Sequence, residues 1–144
     1  MTDAKRCLSL VSTRARSFLE EIRDGGVKIA KRESVYRQLG EVIFAYWAAK
    51  LNHPHAIYDA KRERRIAARL RESSGDWGLL CYAIDGALRD DFLMGREDRS
   101  MRRYDGIETI FRDRAQVERL AEMCPKFNAG QPHPLVTKYT HADT

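Results

Sequence analysis

The side chains that could support catalysis are few and scattered along the sequence. Acid pairs such as Asp90-Asp91 and Glu97-Asp98 lie inside an arginine-rich segment, where adjacent carboxylates are usually solvated. No two histidines stand four residues apart, as they would on a zinc-binding helix, and there is no glycine-rich phosphate loop. A nucleophile assembled only by the fold stays open at this point. We expect a protein that is not an enzyme and uses no cofactor or metal.

The cysteines and the apolar runs bear on the cellular compartment. Cys7, Cys81 and Cys124 are odd in number and form no C-x-x-C pair, which is typical of reduced thiols in a core. No apolar run approaches the ~18 residues that a membrane span needs. The first residues also lack the continuous apolar stretch and cleavage site of a secretory signal. We therefore expect a cytoplasmic protein without membrane contact.

Positive charge is the chemical feature that concentrates in this chain. The whole sequence has 26 Lys and Arg against 21 Asp and Glu, but residues 61–71 hold six basic residues and only one acid, Glu63. A helical wheel places Ile66, Ala67 and Leu70 on one side. The opposite half carries Lys61, Arg62, Arg64, Arg65, Arg69 and Arg71. Cations on one face attract phosphates, so this pattern favours nucleic-acid binding; a merely solvated face is the alternative.

A second cluster of positive charge and two aromatic residues lie nearby in the sequence. The cluster consists of Arg96, Arg99, Arg102 and Arg103. It is interrupted by two acids, Glu97 and Asp98, which could pair with these arginines locally. Tyr58 precedes the basic helix and Tyr104 follows the second cluster. Both could stack on single-stranded bases, although an aromatic residue at a helix start commonly packs against the fold instead.

The elements that must position these side chains are helices. Apolar residues recur every three or four positions, which predicts helices over about 3–23, 35–51 and 59–72, a fourth from Asp76, and two short helices before Pro125. Three regions follow from this pattern. They are an N-terminal helix and connector over 1–34, a helical module over 35–124 and an irregular tail over 125–144. We expect an all-α fold, a compact bundle of about five to six helices with a long charged loop near 90–103.

The predicted N-terminal helix has two interpretations. Leu8, Val11, Phe18 and Ile22 approximate a 3.5-residue repeat, which would suit the seam of a homo-oligomer. Barely three heptads are present, and an isolated helix of this length is marginal in water. Packing against the helix at 35–51 is the alternative.

The order of residues over 43–124 resembles a known family. The most specific segments are Asp-Asp-Phe-Leu-Met-Gly-Arg at 90–96 and Tyr-Asp-Gly-Ile-Glu-Thr-Ile-Phe-Arg-Asp at 104–113. Asn-His-Pro at 52–54 is also part of the match. These segments resemble the C-terminal module of phage and plasmid replication proteins, which are initiators or helicase-loader-like proteins distantly similar to the DnaD family. The resemblance covers about 80 residues and implies a compact helical module that engages DNA and replication partners, without catalysis.

The charge pattern and the resemblance together suggest two hypotheses. The first is a non-catalytic accessory protein of phage or mobile-element DNA replication that binds DNA, or RNA, and a replicative helicase or another nucleoprotein subunit. It predicts that the basic face is exposed beside the 96–103 loop, and that replacing Arg62, Arg65 and Arg69 by Ala weakens binding with little loss of stability. The alternative is a protein-binding adaptor or inhibitor, such as an anti-defence factor, with no essential DNA contact.

Overall fold

The computed structural model describes residues 20, 33–97 and 99–140. These residues form α-helices and no strand, which confirms the predicted all-α class. The residues of the proposed N-terminal seam, Leu8, Val11, Phe18 and Ile22, lie outside the described part. The described helices are α1 Glu33–Lys50, α2 Ala60–Glu72, α3 Trp77–Arg89, α4 Ile107–Ile110, α5 Arg114–Ala121, α6 Pro125–Asn128 and α7 Pro134–Thr140.

Helix α1 is the central element of the bundle. Every residue from 42 to 49 is buried, so α1 is covered on all sides over two turns. Its large side chains, including Leu39, Ile43 and Trp47, are almost fully removed from solvent. Burial of apolar surface contributes about 25 cal/mol per Å². This helix therefore anchors the core on which α2 and α3 pack.

Helices α2 and α3 begin where the sequence predicted. The carboxylate of Asp59 accepts a hydrogen bond of 2.9 Å from the Arg62 N–H, and that of Asp76 accepts one of 3.2 Å from the Leu79 N–H. Each bond satisfies a backbone donor that the first helical turn leaves unpaired. Asp113 caps α5 in the same way, through the Gln116 N–H at 2.8 Å.

The expected irregular tail is corrected by the structure. This region contains α6 and α7, and both helices begin with a proline at the first helical position. Proline suits that position because the missing N–H would be unpaired there in any case. The tail is also docked, since the Tyr82 hydroxyl donates to the Gln131 carbonyl at 2.8 Å and Leu135 is buried. The prolines therefore start helices here.

The charged loop and the membrane-spanning potential of the helices complete the description of the fold. From Asp90 to Arg103 the described residues form no helix, as expected for a charged loop. Among the described helices, none is both long enough and apolar enough to cross a membrane.

Candidate nucleic-acid interface

Three of the six predicted cations on α2 hold the fold together. Arg62 donates to the Ile57 carbonyl at 2.6 Å, and its guanidinium lies 5.8 Å from the centre of the Trp47 ring. Arg65 and Arg69 both donate to the Arg112 carbonyl, at 3.3 and 2.9 Å. These side chains follow a spacing of three and four along one stripe of α2, which faces the segment after α4.

These contacts revise the expected effect of removing the stripe. Each guanidinium binds a main-chain oxygen, with Arg65 and Arg69 sharing that of Arg112, and Arg69 also pairs with Glu72 at 2.9 Å. The Arg69 side chain is only 14% exposed. Arg62, Arg65 and Arg69 are therefore structural side chains, so their replacement by Ala should lower stability. We call them the inner arginines.

The other three cations of α2 are open to solvent. Lys61, Arg64 and Arg71 are all exposed and follow a second stripe of the helix. Lys61 and Arg64 form no ion pair with any residue that the structure describes. On the buried side of α2, Ile66, Ala67 and Leu70 are in the core. We call Lys61, Arg64 and Arg71 the outer cations, and they are the solvent-exposed part of the predicted face.

The four arginines of the loop also divide into two kinds. Arg96 pairs with Asp91 at 2.9 Å and donates to the Leu88 carbonyl. Arg103 pairs with the buried Asp105 at 2.6 Å and donates to the Leu51 carbonyl at 3.1 Å. Arg99 and Arg102 are exposed and form no ion pair within the described part of the chain. The loop therefore offers two open cations.

A short series of contacts connects α2 with the loop. The Trp47 ring lies under Arg62 and stacks on His53, with ring centres 4.6 Å apart and planes 13° from parallel. The His53 Nε2 lies 2.9 Å from the Asp105 carboxylate, which also binds Arg103. The two clusters that the sequence analysis paired are thus anchored to the same end of α1.

The two predicted aromatic candidates have different environments. Tyr58 packs against Phe44 at 5.1 Å, and its hydroxyl donates to the Arg37 carbonyl at 3.3 Å, so it belongs to the fold. Burial, followed by the charges of Glu63 and Glu41, raises the pKa of Tyr58. Tyr104 is partly buried and stacks on an exposed phenylalanine, Phe92. Sequence reasoning missed Phe92, because a single aromatic residue in a charged loop has no periodicity.

A buried polar cluster, also missed by the sequence analysis, joins α7 to α1 and α3. The Tyr46 hydroxyl donates to one oxygen of Asp85 at 2.6 Å, while His133 Nε2 lies 2.8 Å from the other. His133 Nδ1 accepts from the Leu135 N–H at 3.1 Å, which places the ring proton on Nε2. A cleft of about 260 Å³ borders these residues, with Lys50 and Lys126 at its walls.

No family model, curated protein or solved structure matches this chain. Its function is therefore inferred from its own residues.

The polar cluster holds α7 against α1 and α3. The side chains of Tyr46, Asp85 and His133 bind one another and the Leu135 N–H of α7, and the Lys50 ammonium lies 4.0 Å from the Asp85 carboxylate. The nearby thiol of Cys124 donates to the Tyr82 carbonyl at 3.3 Å, and burial raises its pKa, which disfavours the reactive thiolate. Among the described residues, no three His, Cys, Asp or Glu side chains converge on a metal position.

Proposed function

We propose that the protein is a non-catalytic nucleic-acid-binding accessory protein that contacts phosphates through the outer cations and the open arginines of the loop. The observation that carries this proposal is the exposed stripe of Lys61, Arg64 and Arg71, two of which have no acidic partner in the described chain. Phosphate contacts are independent of base sequence, so binding of this kind is largely non-specific.

The replication context rests on a different argument. The resemblance of residues 43–124 to phage and plasmid replication modules is the basis for placing the protein in replication of a phage or mobile element, with a replicative helicase or another nucleoprotein subunit as partner. The proposed phosphate contacts have more direct support, since they rest on exposed cations of the structure.

The test measures the affinity for a labelled 20-base-pair duplex by fluorescence anisotropy at a series of salt concentrations. Phosphate contacts by the three outer cations, Arg99 and Arg102 predict that log affinity falls against log salt with a slope of about −4.5. Removing Lys61, Arg64 and Arg71 by alanine should reduce the slope by about 2.7 and leave the melting temperature within about 1 °C, since these side chains are exposed.

A matched variant controls for the loss of net charge. Arg89, Lys126 and Lys138 are also exposed, and they lie on α3, α6 and α7. Their replacement by alanine removes the same number of positive charges at positions outside α2, so it should leave the salt slope nearly unchanged. Absence of duplex binding at 50 mM salt, or equal effects of the two variants, would contradict the proposal.

A second candidate function is supported by exposed apolar side chains. Phe92 and Met101 are 58% and 75% exposed on the loop, and such residues also suit a protein-binding adaptor or inhibitor. That function predicts a stoichiometric complex with a protein partner that survives nuclease treatment. Met101→Ser removes the apolar side chain without adding charge beside Arg102, so it should abolish such a complex without weakening duplex binding.

A further inference from the structure

The loop carries an aromatic ring in an unusual position. Phe92 is 58% exposed, although burial of a phenylalanine side chain is among the more favourable apolar contributions to folding. One face of its ring lies against Tyr104, with ring centres 5.3 Å apart and planes 6° from parallel. The rest of the ring is turned to solvent. We call Phe92 and Tyr104 the aromatic pair.

Positive charge lies directly beside the aromatic pair. The guanidinium of Arg102 is 5.3 Å from the centre of the Tyr104 ring, and Arg99 is exposed three residues earlier. Of the acids in the loop, Asp91 is occupied by Arg96 at 2.9 Å. The pair therefore combines an open π face with guanidinium groups that are able to meet phosphate.

The backbone beneath the aromatic pair is firmly held. The Tyr104 N–H donates to the Leu93 carbonyl at 2.7 Å, which fixes the two ends of the loop side by side. The buried carboxylate of Asp90 accepts from the Leu93 N–H at 2.8 Å and from Arg119 at 2.9 Å. The ring of Phe92 is thus presented by a structured turn, which lowers the entropy lost when a ligand stacks on it.

The chemistry of this surface distinguishes between forms of nucleic acid. In a duplex, the faces of internal bases are stacked on their neighbours and cannot contact a protein ring. In a single strand, each base exposes a π face to an aromatic side chain, and stacking on such a side chain adds affinity for any base. An exposed ring flanked by arginines therefore suits a single strand better than a duplex.

We propose that the aromatic pair is a base-stacking site for single-stranded nucleic acid, with Phe92 stacking on a base and Arg99 and Arg102 contacting the adjacent phosphates. This proposal rests on the proposed nucleic-acid-binding function and adds the strand form to it. The outer cations supply phosphate contacts to either form, while the aromatic pair adds affinity for the single strand alone.

The experiment compares three probes by fluorescence anisotropy at fixed salt. They are a labelled 20-residue oligothymidylate, an abasic oligomer of the same length and charge, and a 20-base-pair duplex. The wild-type protein should bind oligothymidylate about tenfold more tightly than the abasic strand, because only the former can stack. Phe92→Ala should remove this difference and leave affinity for the abasic strand and the duplex unchanged.

Two further variants make the result specific to the ring. Phe92→Tyr keeps an aromatic face and should retain the preference for oligothymidylate. Ile57→Ala removes another exposed apolar residue, 72% open to solvent, and should have no effect. The melting temperature of each variant should match that of the wild type, since both positions are exposed.

The outcomes separate this proposal from the proposed function. If the wild type binds oligothymidylate and the abasic strand equally, or if Phe92→Ala binds oligothymidylate as tightly as the wild type, the stacking site is wrong while phosphate binding stands. If Phe92→Ala loses a protein partner instead, the exposed ring serves protein docking, and the proposal is equally overturned. If the wild type binds none of the three probes, both proposals fail.

Discussion

The two arginine clusters divide their side chains between the fold and solvent in different ways. On α2 the division follows the helical period, so that the inner arginines bind main-chain oxygens along one stripe while the outer cations line another. In the loop the division follows position along the chain, because the first and last arginines of the cluster are paired and the two between them are not paired with any described residue. Arg96 and Arg103 are tied to Asp91 and Asp105, and the open arginines lie between them.

The comparison teaches that a run of positive charge is not a single functional unit. An arginine has a long stem and a broad donor fork, so it stabilises a carbonyl at a helix end as readily as it contacts a phosphate. The two clusters also differ in what accompanies the charge. Helix α2 carries no aromatic residue, whereas the loop adds the exposed ring of Phe92. We therefore propose phosphate contacts for both regions and base contact for the loop alone.

The largest effect on stability should come from the inner arginines. Replacing Arg62, Arg65 and Arg69 together by alanine removes the hydrogen bonds that connect α2 to the Ile57 and Arg112 carbonyls. At about 1 kcal/mol for each arginine, the free energy of unfolding should fall by about 3 kcal/mol, which corresponds to roughly 10 °C in melting temperature. Urea unfolding and calorimetry measure both quantities.

The outer cations supply the matched control for this variant. The Lys61, Arg64 and Arg71 alanine variant removes the same number of positive charges from the same helix, but it should unfold at nearly the wild-type temperature. Equal melting temperatures for the two triple variants would show that the division of α2 into two stripes is wrong.

The next effect concerns the turn that supports the loop. Gly95 has φ +74°, and a Cβ there would lie 2.7 and 2.8 Å from the carbonyl oxygens of Met101 and Arg102. Gly95→Ala should therefore cost about 2–3 kcal/mol, of which the left-handed backbone accounts for about 1. Displacement of Tyr104 should also reduce binding to oligothymidylate by about as much as Phe92→Ala does.

Gly130 offers the control for backbone strain alone. It has φ +75°, and no atom lies within 4 Å of a Cβ built there. Gly130→Ala should cost about 1 kcal/mol and leave binding unchanged. If Gly95→Ala is no more destabilising than Gly130→Ala, the close approach of the two ends of the loop is not important for the fold.

Much of the helical scaffold could be predicted from the sequence, because its signals are local. The apolar period and the capping residues Asp59 and Asp76 identified α2 and α3. The tail was missed because its helices depend on distant contacts, such as the bond from Tyr82 to Gln131. In a sequence pattern a proline indicates the end of a helix, but Pro125 and Pro134 begin helices where the chain packs back onto α3.

The candidate site was predictable only in its charge. A helical wheel places cations opposite the core, but it does not identify which of them meet a carbonyl more than 40 residues away, as Arg65 and Arg69 do at Arg112. In the same way, no pattern in the sequence indicates that Phe92 stacks on Tyr104 and remains exposed. Both facts depend on where the chain returns after the loop.

The smallest effect distinguishes two adjacent aspartates at the start of the loop. The Asp90 side chain is 11% exposed and binds Arg119, whereas the Asp91 side chain is 60% exposed and binds Arg96. Burial alone would raise the pKa of Asp90, but the hydrogen bonds from the Leu93 N–H and Arg119 outweigh it and lower the pKa. We expect Asp90→Asn to lower the free energy of unfolding at pH 7 by about 1–2 kcal/mol.

The pH dependence of that difference follows from the direction of the shift. A carboxyl group with a lowered pKa in the folded state stabilises the protein above its unfolded pKa of about 3.9, and this contribution is lost as the pH falls through the folded value. The gap between wild type and Asp90→Asn should therefore be constant above about pH 5 and shrink below about pH 4 in urea unfolding. Asp91→Asn, which removes an exposed pair, should cost less than about 0.5 kcal/mol at every pH. Equal effects of the two substitutions would mean that the Asp90 carboxylate does not hold the turn that presents Phe92.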